Sequence, residues 1–396
     1  MNKLPDNWEL KTLSEVGDII GGGTPNTTKE EYWNGDILWV IPSEVTSLPT
    51  KYLYTTERKI TELGLKNSSA KIIKPNSLII CTRATIGDCC INRNEVSTNQ
   101  GFKSIIPNEN YDVVFLYYLI SNSKQKLISK ASGTTFLEIS KSNLANLTFN
   151  FPPLEEQKRI ASALSKVDAY LENTIKLTES KERFKRAIAK KLLTCKENKN
   201  VPEARFDGFE DEWETVKLDD MFDNLKEKNK ENKIILASTR DRGVIPNSFT
   251  KRKIIRKKGS LSNFKFVEKG CFVISLMSFQ GGFEYSDYEG IISPAYTVLK
   301  PKIEIAHYFY KYFFKSYKFI KDLSPYVEGI RHGKQIKFSA CKNILVPYPN
   351  IKEQEKIAEF LSLLDAEIDN LKKQAEGIKR LKKGLMKKLM SGEIRI

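Results

Sequence analysis

Residues Phe151 to Thr194 read FPPLEEQKRIASALSKVDAYLENTIKLTESKERFKRAIAKKLLT, and Tyr348 to Ser391 read YPNIKEQEKIAEFLSLLDAEIDNLKKQAEGIKRLKKGLMKKLMS. The two stretches align without a gap at an offset of 197 residues and are identical at 17 of 44 positions. Unrelated segments of this composition would share about three identical positions, so the two stretches are copies of one another. Because the offset is close to half of the 396-residue chain, the sequence predicts two related halves and not a solenoid.

Each copy is predicted to form one long helix. Prolines at the start of each copy, Pro152 and Pro349, end the preceding structure. Apolar residues then recur at intervals of three and four, which is typical of an amphipathic helix. In the second copy this stripe comprises Ile357, Leu361, Leu364, Ile368, Leu371, Ala375, Ile378, Leu381, Leu385 and Leu389. In the first copy it comprises Ile160, Leu164, Val167, Leu171, Ile175, Phe184, Ile188 and Leu192.

A helix of 40 residues is about 60 Å long, and so long an apolar stripe needs a partner. We expect the two copies to pair with each other as an antiparallel intramolecular coiled coil related by a pseudo-two-fold axis. The alternative is that each helix packs on its own globular domain. The first stripe weakens between Thr178 and Lys181, which indicates either a local break or a place where another protein supplies the packing.

Both halves have the same organisation before the repeated helix. Each begins with a lead-in to a tryptophan, Trp8 or Trp213, and continues with short β-like runs broken by Gly, Pro, Asn and Ser. The sequence therefore predicts an α+β protein with two globular domains and two long helices. The expected divisions are a first domain over 1–150, a helix over 151–195, a linker over 196–208, a second domain over 209–347 and a helix over 348–396.

Charge and cysteine content limit the function classes. The chain has 65 Lys and Arg against 49 Asp and Glu, a net charge of +16, which favours a polyanionic partner. The alternative is a protein that is merely basic. Six cysteines with no CxxC pair indicate reduced thiols, and we found no run of about 18 apolar residues. We therefore expect a cytoplasmic protein that does not span a membrane.

The sequence contains few residues suited to catalysis. It has only two histidines, His307 and His332, and neither has a second metal ligand at a typical spacing. Gly333-Lys334-Gln335 lacks the other residues of a phosphate-binding loop, and Gly21-Gly22-Gly23 does not extend to GxGxxG. We therefore predict no catalytic site and no metal site in this chain.

Loops that follow the predicted strands are rich in side chains that suit nucleic acid. Arginine pairs with guanine, and asparagine or glutamine with adenine, in the major groove of DNA. In the first half the candidate DNA-binding residues are Arg83, Thr85, Asn92, Arg93, Asn99, Gln100, Thr134 and Thr135. In the second half they are Arg240, Arg242, Ser278, Gln280, Arg331 and Lys334. A basic stretch over 251–258 is a candidate for phosphate contacts.

The whole chain resembles the specificity (S) subunit of Type I restriction-modification enzymes, the HsdS family. The resemblance rests on LPDNWELKTLSEVGDIIGGGTP near the N-terminus, on FPPLEEQKRIA and its copy YPNIKEQEKIA, and on LKKGLMKKLMSGEIRI at the C-terminus. These segments occur in both halves and in the order that the family has.

The resemblance implies a function. The globular domains would be target recognition domains, each reading one half of a bipartite target in double-stranded DNA. The helices would set the spacer and dock two methyltransferase (M) subunits, with restriction (R) subunits completing the complex. The chain itself would be non-catalytic and bind no cofactor, while S-adenosylmethionine, ATP and Mg²⁺ would belong to the partner subunits. The alternative is a stand-alone nucleic-acid-binding protein with a coiled-coil dimerisation module.

Overall fold

The structure is a computed structural model that describes residue 5 and residues 7–133, 137–196, 199–250, 261–274, 282–328 and 335–396. The chain divides into two compact units. Unit 1 consists of Met1–Thr174 with Gln374–Ile396, and unit 2 of Ile175–Lys373. Each unit therefore contains one globular region together with parts of both repeated segments.

Unit 1 has ten strands and six short helices among its described residues. The strands are β1 (Glu9–Thr12), β2 (Gly17–Gly21), β3 (Trp33–Val40), β4 (Tyr52–Leu53), β5 (Lys59–Ile60), β6 (Leu78–Cys81), β7 (Cys89–Asn92), β8 (Val96–Thr98), β9 (Phe102–Pro107) and β10 (Thr148–Phe151). The short helices are α1 (Leu13–Val16), α2 (Pro42–Ser47), α3 (Glu62–Lys66), α4 (Val113–Asn122), α5 (Lys124–Ile128) and α6 (Lys141–Ala145). The first long helix, α7 (Leu154–Leu193), begins in this unit.

A five-stranded sheet with the order β2-β9-β6-β7-β4 lies at the centre of unit 1. A three-stranded sheet, β5-β3-β8, and the antiparallel pair β1-β10 complete its β-structure. Strand β6 is buried along its whole length, and its Leu78 and Ile80 form a core with α4 and with the start of α7. The end of the second long helix, at Leu389 and Met390, packs into the same core.

Unit 2 repeats this plan with different loops. Its described strands are β11 (Glu214–Lys217), β12 (Phe222–Leu225), β13 (Leu236–Thr239), β14 (Gly243–Pro246), β15 (Lys265–Val267), β16 (Phe272–Ile274), β17 (Phe283–Tyr285), β18 (Gly290–Ile292), β19 (Thr297–Pro301), β20 (Val327–Glu328), β21 (Gln335–Ile336) and β22 (Leu345–Tyr348). Its helices are α8 (Leu218–Met221), α9 (His307–Phe313), α10 (Tyr317–Leu323), α11 (Phe338–Cys341) and the second long helix, α12 (Ile351–Met390).

The two central sheets share one strand order. In unit 2 the order is β12-β19-β16-β17, which corresponds to β2-β9-β6-β7 in unit 1. The register corresponds as well, since Ile79 pairs with Cys90 in unit 1 and Val273 pairs with Glu284 in unit 2. The pair β11-β22 takes the place of β1-β10. The predicted internal repeat and α+β fold are therefore confirmed.

The repeated Glu-Gln pair holds the start of each long helix in place. The Gln157 side chain accepts a hydrogen bond from the backbone of Asp112 at 3.0 Å and donates to the Pro152 carbonyl at 2.9 Å. Gln354 makes the same two bonds with Ala306 and Pro349, at 2.9 and 2.7 Å. Both glutamines are buried. Each therefore ties the helix to the turn before it and to the globular region beside it.

The two long helices run antiparallel within each unit. In unit 1 the Asp168 carboxylate of α7 pairs with Lys382 of α12 at 2.5 Å, and Glu156 pairs with Arg395, beyond the end of α12, at 2.7 Å. In unit 2 Lys181 of α7 pairs with Glu367 of α12 at 2.8 Å. Positions that rise along α7 therefore meet positions that fall along α12, and the predicted antiparallel pairing is confirmed.

The predicted stripe was wrong at three positions. Ile175, Phe184 and Leu381 are exposed, with 37, 51 and 73% of their surface accessible. Continuing the four-three spacing from Val167 and Leu171 leads to Thr174 and Thr178 instead, and both threonines are buried. The same spacing reaches Lys185 in α7 and Lys382 in α12, which pair with Asp365 and Asp168.

The sequence left open a break in the first long helix near Thr178. No break is present, because α7 is continuous from Leu154 to Leu193. The stripe weakens there because small polar residues occupy its inner positions. Helical geometry is preserved because threonine, unlike proline, keeps its backbone N–H group.

Candidate nucleic-acid interface

Three loops meet at one edge of the central sheet in unit 1. They are the loops after β2 (22–32), after β6 (82–88) and between β8 and β9 (99–101). Cys81 at the end of β6 is paired with Phe102 at the start of β9. The Thr82 backbone and hydroxyl both donate to the Gly101 carbonyl, and the Gly23 backbone donates to the Thr98 carbonyl at 2.8 Å. We call the surface of these three loops the unit 1 loop face.

Arg83 is held on this face by a carboxylate. Its Nε and one terminal nitrogen donate to a single oxygen of Glu138, at 2.9 and 2.6 Å. The second Glu138 oxygen lies 3.6 Å from Lys103. The Arg83 side chain is 45% exposed, and a guanidinium has five N–H groups. The arginine is thus oriented by the protein and still accessible to an acceptor such as a guanine edge.

Asn99 and Gln100 lie beside Arg83 on the same face. The Asn99 side-chain oxygen accepts from the backbone of Gly101 at 2.9 Å, while the Gln100 side-chain oxygen accepts from the hydroxyl of Thr24. Gln100 is exposed and Asn99 half-buried. The structure therefore brings together three of the candidate residues from the first half. Whether they contact DNA remains a prediction.

Two other candidates do not suit a DNA contact. Asn92 is fully buried; its oxygen accepts from the Ser77 backbone at 2.9 Å and its nitrogen donates to the carbonyls of Lys74 and Asn94, both at 2.8 Å. The hydroxyl oxygen of Thr85 is also buried. Asn92 closes a turn inside the protein, and we correct the prediction for both residues, because neither presents its polar atoms to a partner.

Arg93 lies at the other end of the β6-β7 pair from Arg83. The two strands are antiparallel, so Asn92 at the end of β7 lies beside Ser77, just before the start of β6. The Arg93 guanidinium stacks on the Tyr52 ring at 4.0 Å and donates to the Asn76 side chain at 2.7 Å. It is therefore not part of the unit 1 loop face.

In unit 2, Arg240 and Arg242 lie in the tight turn that joins β13 to β14, and both are exposed. Arg242 donates to the carbonyl of Phe249 at 3.3 Å. The carbonyl of Arg240 accepts from Lys315 at 3.3 Å. Six candidates and the basic stretch 251–258 lie outside the described residues. The six are Thr134, Thr135, Ser278, Gln280, Arg331 and Lys334.

Sequence reasoning missed the residues that position the candidates. Glu138 lies 55 residues from Arg83 and Thr24 lies 76 residues from Gln100, so no local pattern links them. Thr24 does belong to the conspicuous GGGTP stretch, which was the one available signal. Lys315 and its partner Glu284 had no sequence signal at all.

The described residues hold no cluster of metal-ligating side chains, and burial makes four of their thiols unreactive. No three histidine, cysteine, aspartate or glutamate side chains come together as a metal site within them. Burial raises the pKa of the thiols of Cys81 and Cys271 to about 11 and of Cys89 and Cys341 to about 12. These thiols are therefore protonated and poor nucleophiles at neutral pH. Within the same described residues, no helix has the length and apolar character needed to cross a membrane.

Two copies of one α+β architecture, with unlike loops and paired long helices, define an internally duplicated α+β protein. The family model for the "Type I restriction modification DNA specificity domain" matches residues 5–179 and 210–380. The chain therefore belongs to this family, and the predicted resemblance is confirmed.

Individual proteins show the same relationship. The "Type I restriction enzyme MjaIX specificity subunit" of Methanocaldococcus jannaschii is 36% identical over 186 residues, 46% of this chain and 43% of that protein. The chain thus matches less than half the length of this relative. The "Putative type I restriction enzyme MjaX specificity subunit" of the same organism is 25% identical over 100% of this chain and 96% of its own length.

A solved structure shares the fold. The crystal structure of the Type I restriction-modification system S subunit from M. genitalium has a TM-score of 0.56 and 16% identity, over 98% of this chain and 97% of that chain. At this identity the comparison concerns the fold alone. The fold class predicted from the sequence is thereby confirmed over nearly the full length.

Proposed function

We propose that this chain is the DNA-binding specificity subunit of a Type I restriction-modification complex. Each unit reads one half of a bipartite target in double-stranded DNA, and the long helices set the spacer and dock two methyltransferase subunits. Restriction subunits complete the complex. The observation that carries this proposal is that both units keep the same strand order and helix attachments while their exposed loops differ.

Charge and loop chemistry support a DNA partner. The net charge of +16 favours association with a polyanion through counterion release. Arg83 and Gln100 in unit 1 and Arg240 and Arg242 in unit 2 are exposed side chains of the types that read base edges or contact phosphates. Their different arrangements suit two different half-sites.

Exposed apolar residues support the docking of two copies of one partner. Phe184 and Leu381 occupy equivalent positions of the repeat, and both point away from the pairing side of their helices, being 51 and 73% exposed. An apolar side chain that recurs at one position in both copies is well suited to bind the same surface twice. We assign these positions to the methyltransferase subunits.

Replacing Phe184 or Leu381 with glutamate is expected to weaken methyltransferase binding at one of two sites by about 10- to 100-fold, because a charge would be buried against an apolar surface. The measurement is subunit stoichiometry after co-purification, with two partners for the wild type and one for each single variant. Tyr170→Glu is the matched control, since Tyr170 is 60% exposed and its equivalent position already carries Glu367. Two bound partners in both single variants would place docking elsewhere.

The chemistry of the complex belongs to the partner subunits in this proposal. Those subunits bind S-adenosylmethionine, ATP and Mg²⁺, and they methylate adenine or cleave DNA in the cytoplasm. This chain selects the site and performs no reaction.

Exchange of one recognition domain tests the proposed function directly. Replacing residues 4–150 with the corresponding domain of another family member is expected to replace one half of the methylated sequence and leave the other half and the spacer intact. The exchanged block carries β1 and most of β10, so only the pairing of Glu9 with Phe151 crosses the junction. Single-molecule sequencing of methylated genomic DNA gives the result, and exchange of 209–347 is the reciprocal control. If both halves change after either exchange, the units do not read independently.

A further inference from the structure

Strand β17 of unit 2 carries a fully buried carboxylate. Glu284 has no accessible surface, and one of its oxygens accepts a hydrogen bond from Lys315, which follows α9. The Lys315 nitrogen also donates to the carbonyl of Arg240 at 3.3 Å. Glu284, Lys315 and the Arg240 turn therefore form one chain of contacts. The second Glu284 oxygen is buried without a hydrogen-bond partner in the part of the chain that the structure describes.

The charges around Glu284 come from these same elements. Burial raises the pKa of Glu284 to about 7, against the attraction of Lys315, while Asp241 raises that pKa further and Arg240 lowers it. Burial likewise lowers the pKa of Lys315. Both shifts arise from burial, which is complete for Glu284 and partial for Lys315, whose side chain is 30% exposed.

Unit 1 shows that the fold does not need this pair. The strand registers make Cys90 the equivalent of Glu284. Tyr118 and Tyr312 show which residues of α4 and α9 are equivalent, because they donate hydrogen bonds to equivalent aspartates of the repeat. Tyr118 donates to Asp168 at 2.6 Å and Tyr312 to Asp365 at 2.7 Å. Ser121 lies three residues after Tyr118, and Lys315 lies three residues after Tyr312, so the two occupy equivalent positions.

At these two positions unit 1 carries Cys90 and Ser121, with Ser121 bonded to the neighbouring Cys89 at 3.4 Å, whereas unit 2 carries an ion pair. A buried ion pair is seldom more stabilising than the uncharged residues that would fill its place. Because the ion pair is present in unit 2 and absent from the equivalent positions of unit 1, stability of the fold does not explain it. We explain it by its contact with the Arg240 turn.

That turn is held against the sheet from two sides. Gly243 has a φ of +71°, and a Cβ there would lie 2.6 Å from the Tyr285 carbonyl, so the backbone approaches β17 closely. On the other side, Lys315 bonds the Arg240 carbonyl. These contacts fix the backbone of the exposed arginines Arg240 and Arg242.

We propose that Glu284 and Lys315 are positioning residues that fix the Arg240–Arg242 turn for reading one half-site. The proposal rests on the proposed function, in which unit 2 reads DNA. Glu284 orients the lysine, and the lysine holds the turn. Loss of the pair would let the turn move and would relax the choice of base without unfolding the unit.

The test is the double variant Glu284→Cys with Lys315→Ser, which installs the residues that the equivalent positions of unit 1 carry. The full-length chain is produced in cells together with its methyltransferase subunit, and genomic methylation is sequenced. We expect an unchanged half-site for unit 1 and at least about a tenfold loss of preference at one or more positions of the unit 2 half-site, because one bidentate base contact carries discrimination of that size. Glu284→Gln keeps an acceptor for Lys315 and is expected to retain the wild-type preference.

Lys318→Met is the matched control, because the Lys318 side chain on the neighbouring α10 is 55% exposed and pairs with Asp322 of the same helix at 2.8 Å. An unchanged unit 2 half-site in the folded double variant would overturn the positioning role. If the double variant does not fold, Lys315→Met is judged by the same criterion. A wild-type chain that directs no bipartite methylation would instead overturn the proposed function, so the two failures are distinguishable.

Discussion

Replacing Glu353 with alanine is expected to destabilise unit 2 by about 3–5 kcal/mol, the usual cost of removing one partner of a buried ion pair. Glu353 is fully buried at the start of α12. Both of its oxygens accept from Arg205 at 2.8 Å, and one also accepts from the Trp213 indole at 2.9 Å. Without Glu353, the buried Trp213 indole would lose its acceptor and the nearly buried Arg205 guanidinium would keep only the Asp211 carbonyl. The measurement is thermal unfolding, with an expected fall of about 10 °C in the transition of this unit.

Glu156→Ala is the matched control, because Glu156 is the equivalent residue of the repeat. Its partner Arg395 is 46% exposed, so water can replace the lost carboxylate. The Trp8 indole nitrogen has no hydrogen-bond partner in the described part of unit 1, so it does not depend on Glu156. We expect a loss of about 1 kcal/mol. Equal losses of stability in both variants would show that the hydrogen bonds of Glu353 with Trp213 and Arg205 add no stability beyond that of the Glu156 ion pair.

The sequence was sufficient to predict the repeat, the fold class and the two long helices. Periodicity of three and four and the flanking prolines are local signals, and the duplicated Glu-Gln pair marks where each helix is attached. The reason for that pair was not predictable, since Gln157 bonds Asp112 and Glu353 bonds Arg205, residues far away in the sequence.

Errors arose where a local pattern had two interpretations. Ile175 and Leu381 are apolar and lie one residue away from Thr174 and Lys382, so composition favoured the wrong member of each pair. Strict spacing would have chosen correctly, because a helix face is set by position and not by polarity alone. Asn92 shows the same limit at the candidate interface: its residue type suits adenine, yet it is buried among hydrogen bonds with Lys74 and Ser77 that sequence does not reveal.

The placement of the candidate DNA-reading side chains depends on contacts between distant loops. Arg83 is oriented by Glu138, and Gln100 by Thr24. In unit 2 the Arg240 turn depends on Lys315, whose equivalent in unit 1 is a serine. Such contacts differ between two units of one fold, as expected where each unit recognises a different sequence.

Lengthening both long helices by four residues is expected to lengthen the spacer of the DNA target and leave both half-sites unchanged. The insertions are placed between Thr174 and Ile175 in α7 and between Lys373 and Gln374 in α12, where the chain passes from one unit to the other. Four helical residues add about 6 Å and little more than one full turn. At about 3.4 Å per base pair, the preferred spacer should grow by one or two base pairs. Sequencing of methylated genomic DNA measures both spacer and half-sites.

Two further insertions separate the effect of length from that of rotation. Seven residues in each helix preserve the four-three spacing on which the pairing of α7 with α12 depends, and should lengthen the spacer by about three base pairs. Two residues in each helix would turn the following segment by about 200° and bury the opposite face. That variant should lose methylation altogether, because helices that stay paired at Asp168 and Lys382 would turn Lys185 and Asp365 away from each other. A spacer that stays constant in the four- and seven-residue variants would mean that the helices do not set the distance between half-sites, and that the spacer is fixed by the methyltransferase subunits instead.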